Sequence, residues 1–263
     1  MKVLIPQLLL SYFIVVSCAP LKKLADLPLL LKENSGLIYQ DSMIWVHNDS
    51  GDEPYLYQLN LEGSLLRKIL VLGAKNIDWE DFTQDKKQNI YIGDFGNNNN
   101  SRQDLCIYKI PGIDLTKDTI LAEKIEFHYP EQISFPPPPA NRYFDAEAMV
   151  IINDSIYIFT KNRTQPNDGL TKCYQIPIYP GKYIAKLVSS FEVKPHGFLY
   201  SITAAACSPD GSKLALLSMT KVYIFSNQLN NQPFSFKFKK AYKLPFTQKE
   251  AIDFIDNRTI LLS

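Results

Sequence analysis

Three glutamates open apolar, strand-like runs of the chain, where a buried strand has no need of a charge. They are Glu80, Glu147 and Glu250. The three runs belong to an internal repeat, and residues at the same place in each unit are expected to share one position in the fold. Carboxylates held close together raise one another's pKa unless a cation or a basic side chain neutralises them. The pattern therefore predicts a channel site with a partner for these charges.

Further oxygen and nitrogen donors lie in the same stretches of sequence. Calcium takes oxygen ligands from Asp, Glu and Asn side chains, and the candidate metal ligands are Glu80, Glu147, Asn48 and Asp94. The wider predicted channel and ligand-binding set is Glu80, Glu147, Glu250, Asp49, Asp94, Asn162 and Arg163. Internal neutralisation is the alternative to a bound cation, and the basic residues available for it are Lys161, Arg163 and Lys249.

The repeat that positions these residues has five units, which start near residues 35, 80, 147, 204 and 250. Each unit has a small or acidic residue, an apolar run, a turn rich in Asn, Asp, Gly or Ser, and a second alternating strand, which is typical of a hairpin. Two more strand-like runs follow, and four strands make one propeller blade. The sequence predicts an all-β fold, a β-propeller of five four-stranded blades, with six blades as the alternative count.

The last unit is incomplete, because the sequence ends at Ser263 after two strands. An open ring would leave strand edges exposed, which folded proteins avoid. We therefore expect residues 24–31 to close the last blade as an outer strand.

The N-terminus is typical of an exported lipoprotein. Lys2 precedes an apolar stretch that is shorter than the roughly 20 residues of a membrane-spanning helix. The stretch ends in Val15-Val16-Ser17-Cys18, which resembles the bacterial lipobox. We predict a lipoprotein signal peptide over residues 1–18, a palmitate-type acyl anchor on Cys18 and a single propeller domain over residues 19–263. A plain signal peptide is the alternative.

Composition excludes some classes of partner and chemistry. With 28 basic and 27 acidic residues, no general field favours nucleic acid. The cysteines after the lipobox are odd in number and lack metal-binding spacing, which favours buried thiols. Common hydrolase and nucleotide-binding motifs are absent from the sequence. His47 lies beside Asn48 and Asp49, where a rim base and a packed strand-end residue are both consistent with the sequence.

Several short strings together resemble a family of uncharacterised Bacteroidetes-type propeller lipoproteins. The strings are HNDSG at 47–51, DWEDF at 78–82, YIGDFGNN at 91–98, RQDLCIYKI at 102–110, FDAEAM at 144–149, FTKNR at 159–163, ITAAACSPDG at 202–211 and KEAIDF at 249–254. More distantly, an acidic residue opening each inner strand resembles the SdiA-regulated, phytase-like and gluconolactonase or strictosidine-synthase propellers, several of which hold calcium. That resemblance implies channel positions for Glu80, Glu147 and Glu250.

Two functions of different classes are consistent with these features. The first is a non-catalytic lipoprotein of the cell envelope that is anchored to a bacterial membrane and binds a small molecule, a glycan or a protein at the polar channel mouth. The second is a calcium-dependent hydrolase of phosphate or carboxylic esters, in which the metal activates water or polarises the scissile bond.

Overall fold

The computed structural model describes residues 12–16, 21–227, 236–246 and 248–263, with the backbone alone for 12–16 and 113–114. Within these residues the strands are β1 Tyr12–Val16, β2 Lys22–Asp26, β3 Asn34–Gln40, β4 Met43–Asn48, β5 Tyr55–Leu59, β6 Leu65–Leu72, β7 Trp79–Gln84, β8 Ile90–Asp94, β9 Cys106–Ile110, β10 Thr119–Leu121, β11 Glu123–His128, β12 Asp145–Ile152, β13 Ser155–Lys161, β14 Leu170–Pro177, β15 Gly181–Ile184, β16 Lys186–Glu192, β17 Ile202–Cys207, β18 Lys213–Ser218, β19 Lys221–Asn227, β20 Phe236–Lys243, β21 Ile252–Phe254 and β22 Ile260–Leu262.

Short 3₁₀ helices interrupt the loops between these strands. They span Leu29–Leu31, Gly112–Thr116, Pro139–Asn141 and Phe198–Tyr200. No helix of the described residues has the length and apolar character needed to cross a membrane.

The strands form five separate sheets. Their orders from the axis outwards are β3-β4-β5-β6-β10, β7-β8-β9-β11-β15, β12-β13-β14-β16, β17-β18-β19-β20 and β21-β22-β1-β2. The first strand of each sheet contacts the first strand of the next, and β21 contacts β3, so the ring is closed. The predicted all-β propeller is confirmed. Two blades carry a fifth outer strand, because β10 and β15 add in parallel to the preceding blade.

Chain closure confirms the expectation for residues 24–31 in part, because residues 24–26 belong to the outermost strand of the fifth blade and residues 29–31 do not. Two N-terminal strands complete the fifth blade: β1 pairs with β22, and β2 pairs with β1 as the outermost strand. Leu29–Leu31 is a 3₁₀ helix whose Leu31 is buried, so its role is packing. With one N-terminal strand the fifth blade would have three strands, whereas β1 and β2 together give it four, as in blades three and four. β1 lies inside the predicted signal peptide, and Cys18 lies outside the described residues.

The exposed fraction of the side chains increases with the distance of a strand from the propeller axis. All five residues of β8 are buried, while β20 is exposed or half-buried along its whole length. The inner strands are enclosed between neighbouring blades, so both of their faces are apolar. The charged side chains of the inner strands are acidic, and they lie in the first half of β7 and of β12 and at the middle of β21.

Each inner strand carries a β-bulge at its start, at the same place in all five blades. The register shifts of the first four blades fall there, and in the fifth Glu250 and Ala251 both donate their backbone N–H to the carbonyl of Ser263. A bulge leaves one residue outside the ladder and redirects its side chain. The bulge residues are Ser35, Glu80, Glu147, Thr203 and Glu250. The fourth repeat unit therefore aligns on Thr203, one residue before the position predicted from the sequence.

Candidate functional site at the carboxylate mouth

The bulges place polar side chains around one end of the channel, which we call the carboxylate mouth. In an antiparallel hairpin the start of the first strand lies beside the end of the second. Asp49 follows β4, Asp94 ends β8 and Lys161 ends β13, so these residues join the bulge glutamates at the same end. The mouth is formed by Asp49, Asp78, Glu80, Asp94, Asp145, Glu147, Glu250, Arg102, Lys161, Arg163 and Lys249.

On one side of the mouth, Glu147 lies in a buried ion-pair cluster. Its Oε2 is 2.5 Å from Lys161 Nζ and its Oε1 is 3.1 Å from Arg163 Nη2. Arg163 Nε also donates to Asp145 Oδ2 at 2.6 Å. Burial raises the pKa of Glu147 and the adjacent cations partly offset that rise, whereas the carboxylates outweigh burial and raise the pKa of Lys161. These charges neutralise one another inside the protein.

A second ion pair fixes the loop beside blade two. Arg102 Nη2 donates to Asp94 Oδ1 at 2.9 Å, and Arg102 Nη1 donates to the carbonyl of Gly96 at 2.9 Å. The same Asp94 oxygen accepts the backbone N–H of Asp78 at 3.1 Å. Asp94 is therefore occupied by a guanidinium and a backbone amide, although its Oδ2 is buried without a hydrogen-bond partner.

Three further carboxylates, Asp49, Asp78 and Glu80, lie together without such pairing. One oxygen from each lies within 4.8 Å of the others. In the described part of the chain, the ion pairs of this mouth go to Asp94, Asp145 and Glu147, and none goes to these three. Glu80 is buried, while the other two are half-buried. We call this group the carboxylate triad.

Burial and the repulsion between neighbouring carboxylates raise the pKa values of two side chains of the carboxylate triad. Burial, together with the nearby Asp49 and Asp145 carboxylates, raises the pKa of Asp78 to about 7. Burial and the charges of Glu147 and Asp49 raise the pKa of Glu80 well above its usual value. A Cβ at position 96 would collide with Asp78 Oδ2 and Glu80 Oε1, so only glycine leaves space for these carboxylates.

The other residues predicted from the sequence have varied positions. Glu250 is half-buried and close enough to Asp49 to contribute to the raised pKa of that carboxyl, and its Oε1 accepts Gln248 Nε2 at 3.1 Å. Asn48 Nδ2 donates to the carbonyl of Leu30 and to Asp52, so it organises the loop.

The side chain of Asn162 also forms its hydrogen bonds within its own loop. Its Nδ2 donates to Asp168 Oδ1 at 2.6 Å and to the carbonyl of Leu170 at 2.9 Å, while its Oδ1 accepts the Thr164 hydroxyl at 2.6 Å. Of the four candidate metal ligands, Glu80 alone belongs to the carboxylate triad. Cations hold Glu147 and Asp94. The Nδ2 of Asn48 is held by Leu30 and Asp52, while its Oδ1 is buried without a hydrogen-bond partner among the described residues.

Two carboxylates of the mouth, Asp78 and Asp145, lie outside the predicted site residues, although both are in strings quoted above, DWEDF and FDAEAM. Each stands two positions before a bulge glutamate, so the string Asp-x-Glu occurs twice, at 78–80 and 145–147. Residues i and i+2 of a strand share a face. That repeated string is the signal that would have added both aspartates to the predicted site.

His47 is a packed strand-end residue. It is fully buried, with its ring centroid 5.5 Å from that of Trp79 and 4.9 Å from that of Phe82. Burial lowers its pKa to about 4, so the ring is neutral at neutral pH. His47 therefore cannot act as a solvent-exposed base at the rim.

Asp81 closes the channel below the mouth. Its Oδ2 accepts the backbone N–H of Met149 at 2.9 Å and of Ala205 at 3.2 Å, and its Oδ1 accepts that of Phe82 at 2.9 Å. One carboxylate thus ties together the inner strands of blades two, three and four. The carboxylate mouth is a shallow site, separated from the other end of the channel.

Comparisons with known proteins concern the architecture. The chain is similar to one in the crystal structure of a nidogen/laminin complex, at 12% identity over 89% of this chain and 72% of that chain, with a TM-score of 0.47. It is also similar to the WD40 β-propeller domain of Doa1, at 14% identity over 86% of this chain and 62% of that chain, with a TM-score of 0.41. No protein-family model and no curated protein matches the sequence. The fold itself is established by the five sheets and the closed ring of inner strands.

Proposed function

We propose that this protein is a ligand-binding propeller whose carboxylate mouth binds a divalent cation, with calcium as the expected ion, through Asp49, Asp78 and Glu80. The observation that carries the proposal is the carboxylate triad, in which oxygens from all three side chains lie within 4.8 Å of one another. Calcium binds carboxylate oxygens at about 2.3–2.6 Å, so oxygens around one ion lie within about 5 Å of each other. The donor set fits a hard cation.

Charge balance supports the same conclusion. Lys161, Arg163 and Arg102 are engaged with other carboxylates, as the ion pairs of the described residues show. A cation bound by the triad would favour ionised Asp78 and Glu80 and so lower their raised pKa values. The half-buried Asp49 and Asp78 keep one side of the triad open, which leaves ligand positions for water or for a bound partner.

Binding is favoured over ester hydrolysis as the role of this mouth. A hydrolase would need a general base beside the activated water. His47, which directly precedes Asn48 and Asp49, is buried between aromatic rings and stays neutral. The three carboxylates that remain unpaired by cations are those that would hold the ion.

Export and anchoring remain part of the proposal. The lipobox-like string ending at Cys18 supports a lipoprotein of the cell envelope, as does the resemblance to Bacteroidetes-type propeller lipoproteins. Cleavage before Cys18 would remove β1 from the fifth blade. Cys18→Ser should release the protein from the membrane fraction, and a variant that stays membrane-bound would contradict the anchor.

Calcium titration of the purified full-length chain by isothermal calorimetry tests the cation site. We expect one ion per chain, with binding weakened at least about tenfold in Asp78→Asn and in Glu80→Gln. Asp154→Asn, in an exposed turn at the opposite end, is the matched control and should bind as the wild type does. Unchanged binding in both triad variants would contradict the site, and calcium-dependent turnover of phosphomonoesters or carboxylic esters would contradict a purely binding role.

A further inference from the structure

The opposite end of the channel, which we call the hairpin mouth, opens into a cavity of about 1150 Å³ between the turns that join the first two strands of each blade. Inner-strand side chains form its floor, among them Leu37, Phe82 and Ile252. None of the residues of the carboxylate mouth lines it. Its volume slightly exceeds the usual range of small-molecule sites, which is about 300–1,000 Å³.

Two uncharged acceptors from adjacent blades border this cavity. Gln40 ends β3 and Gln84 ends β7, so they occupy equivalent places in the repeat. The Oε1 atoms of both side chains are buried without a hydrogen-bond partner within the described structure. Unsatisfied buried acceptors are uncommon in folded proteins and call for an explanation. A ligand that brings hydrogen-bond donors would satisfy both.

Two of the carboxylates that line the cavity, Asp253 and Asp85, already accept hydrogen bonds from the protein backbone. Asp253 accepts the backbone N–H of Tyr39 and of Phe254, each at 2.8 Å. Asp85 accepts the backbone N–H groups of Lys87 and Asn89 at 2.8 and 3.0 Å. The acceptors that are buried without a partner are the neutral glutamine amides. The three exposed aspartates of the lining, Asp41, Asp154 and Asp210, are matched in number by Lys86, Lys87 and Lys109, which favours a neutral ligand over a cationic one.

We propose that the hairpin mouth binds a neutral oligosaccharide of about two to four sugar units. Sugar hydroxyls both donate and accept hydrogen bonds, and they match the amide groups of Gln40 and Gln84. Tyr179 lines the same cavity and is 53% exposed, so it offers an aromatic surface for the C–H face of a sugar ring. This site is independent of the cation site at the other mouth.

Saturation-transfer NMR and calorimetry with cellotriose, maltotriose, mannotriose and chitotriose test this site on the purified full-length chain. We expect at least one trisaccharide to bind. Gln40→Ala and Gln84→Ala should each weaken that binding about three- to tenfold, and Tyr179→Ala should also weaken it. Gln58→Ala, on β5 outside the cavity, is the matched control, and circular dichroism verifies that each variant is folded.

Two results would overturn the proposal. The first is that none of the four trisaccharides binds. The second is that binding is unchanged in folded Gln40→Ala and Gln84→Ala, or is lost in Asp78→Asn at the carboxylate mouth. Loss of calcium binding alone, with trisaccharide binding retained, would contradict the cation site without affecting this one.

Discussion

The two mouths of the propeller are built from the same five hairpins, yet they hold their polar groups in different ways. At the carboxylate mouth, polar groups from different blades meet: Asp145 of blade three accepts the backbone N–H of Asn97 from blade two at 2.7 Å, and Asp49 of blade one lies beside Asp78 and Glu80 of blade two. At the hairpin mouth, a turn carboxylate such as Asp85 accepts hydrogen bonds from its own turn, here from the amides of residues 87 and 89. Carboxylates at one end thus contact a neighbouring blade, whereas this turn carboxylate at the other end is satisfied locally.

This difference arises from the bulge at the start of each inner strand. The bulge takes residues such as Glu80 and Glu147 out of the strand ladder and places their side chains at the mouth, while a turn such as that of Asp85 uses short-range hydrogen bonds that need no other blade. Substitutions at the carboxylate mouth should therefore cost much more than substitutions at the hairpin turns.

The largest effect is expected at Asp81, which separates the two mouths. Asp81→Ala would leave three buried backbone N–H groups without their acceptor, and we expect the free energy of unfolding to fall by about 3–5 kcal/mol. Urea denaturation measures this loss. The exposed Asp154→Ala should change stability by no more than about 0.5 kcal/mol. An equal effect of the two substitutions would show that Asp81 does not tie the blades together.

The next effect concerns the buried ion pair of blade three. Lys161→Met leaves Glu147 with Arg163 as its remaining cation, and we expect a loss of about 3 kcal/mol. Adding Glu147→Gln should recover part of that loss, because the uncompensated charge is removed. Lys124→Met, which breaks an exposed pair with Glu126, should cost about 0.5 kcal/mol or less. A similar cost at the two lysines would show that burial of the ion pair at the carboxylate mouth does not increase its contribution to stability.

Protonation of the carboxylate triad should make stability depend on pH. The pKa of Asp78 rises from 3.8 to about 7 on folding, so the folded state binds the extra proton. Its stabilising contribution is complete below pH 3.8 and is lost as the pH rises through 7. Since Asp78 is half-buried, we expect a discounted loss of about 1–2 kcal/mol relative to Asp78→Asn between pH 4 and pH 8.

Denaturation curves of the two proteins at several pH values check this expectation. Saturating calcium should recover stability in the wild type at pH 8 and leave Asp78→Asn nearly unchanged. Parallel pH profiles for the two proteins would contradict the raised pKa of Asp78.

The smallest effect is expected at a turn of the hairpin mouth. Ser42 has a φ of 63°, which is unfavourable for a residue with a side chain. Ser42→Gly should raise the free energy of unfolding by about 0.5–1 kcal/mol. Ser64→Gly, at an exposed position in another turn, is the control and should give no gain. A destabilised Ser42→Gly would show that the serine side chain, and not the turn conformation, matters there.

The propeller could be predicted from the sequence because each repeat unit shows the same local pattern. That pattern is an apolar strand, a polar turn and a second strand. The alignment of blade four was one residue off, since the alanine run after Thr203 gives no alternation. The position of β1 was missed because an apolar N-terminal stretch reads as a signal peptide. The site was only partly predictable, because the residue pattern does not distinguish the carboxylates that pair with Arg102, Lys161 and Arg163 from the three that do not. The cavity depends on how far the inner strands lie apart, which the residue pattern does not report.

Diffraction from crystals grown with calcium, with anomalous differences measured at a long wavelength, tests the central claim most directly. The account predicts one anomalous peak at the carboxylate mouth, about 2.3–2.6 Å from oxygens of Asp49, Asp78 and Glu80. The peak should be absent in crystals of Asp78→Asn. A calcium-bound crystal in which the peak lies elsewhere, or in which Lys161 or Arg163 occupies the space between the three carboxylates, would contradict it.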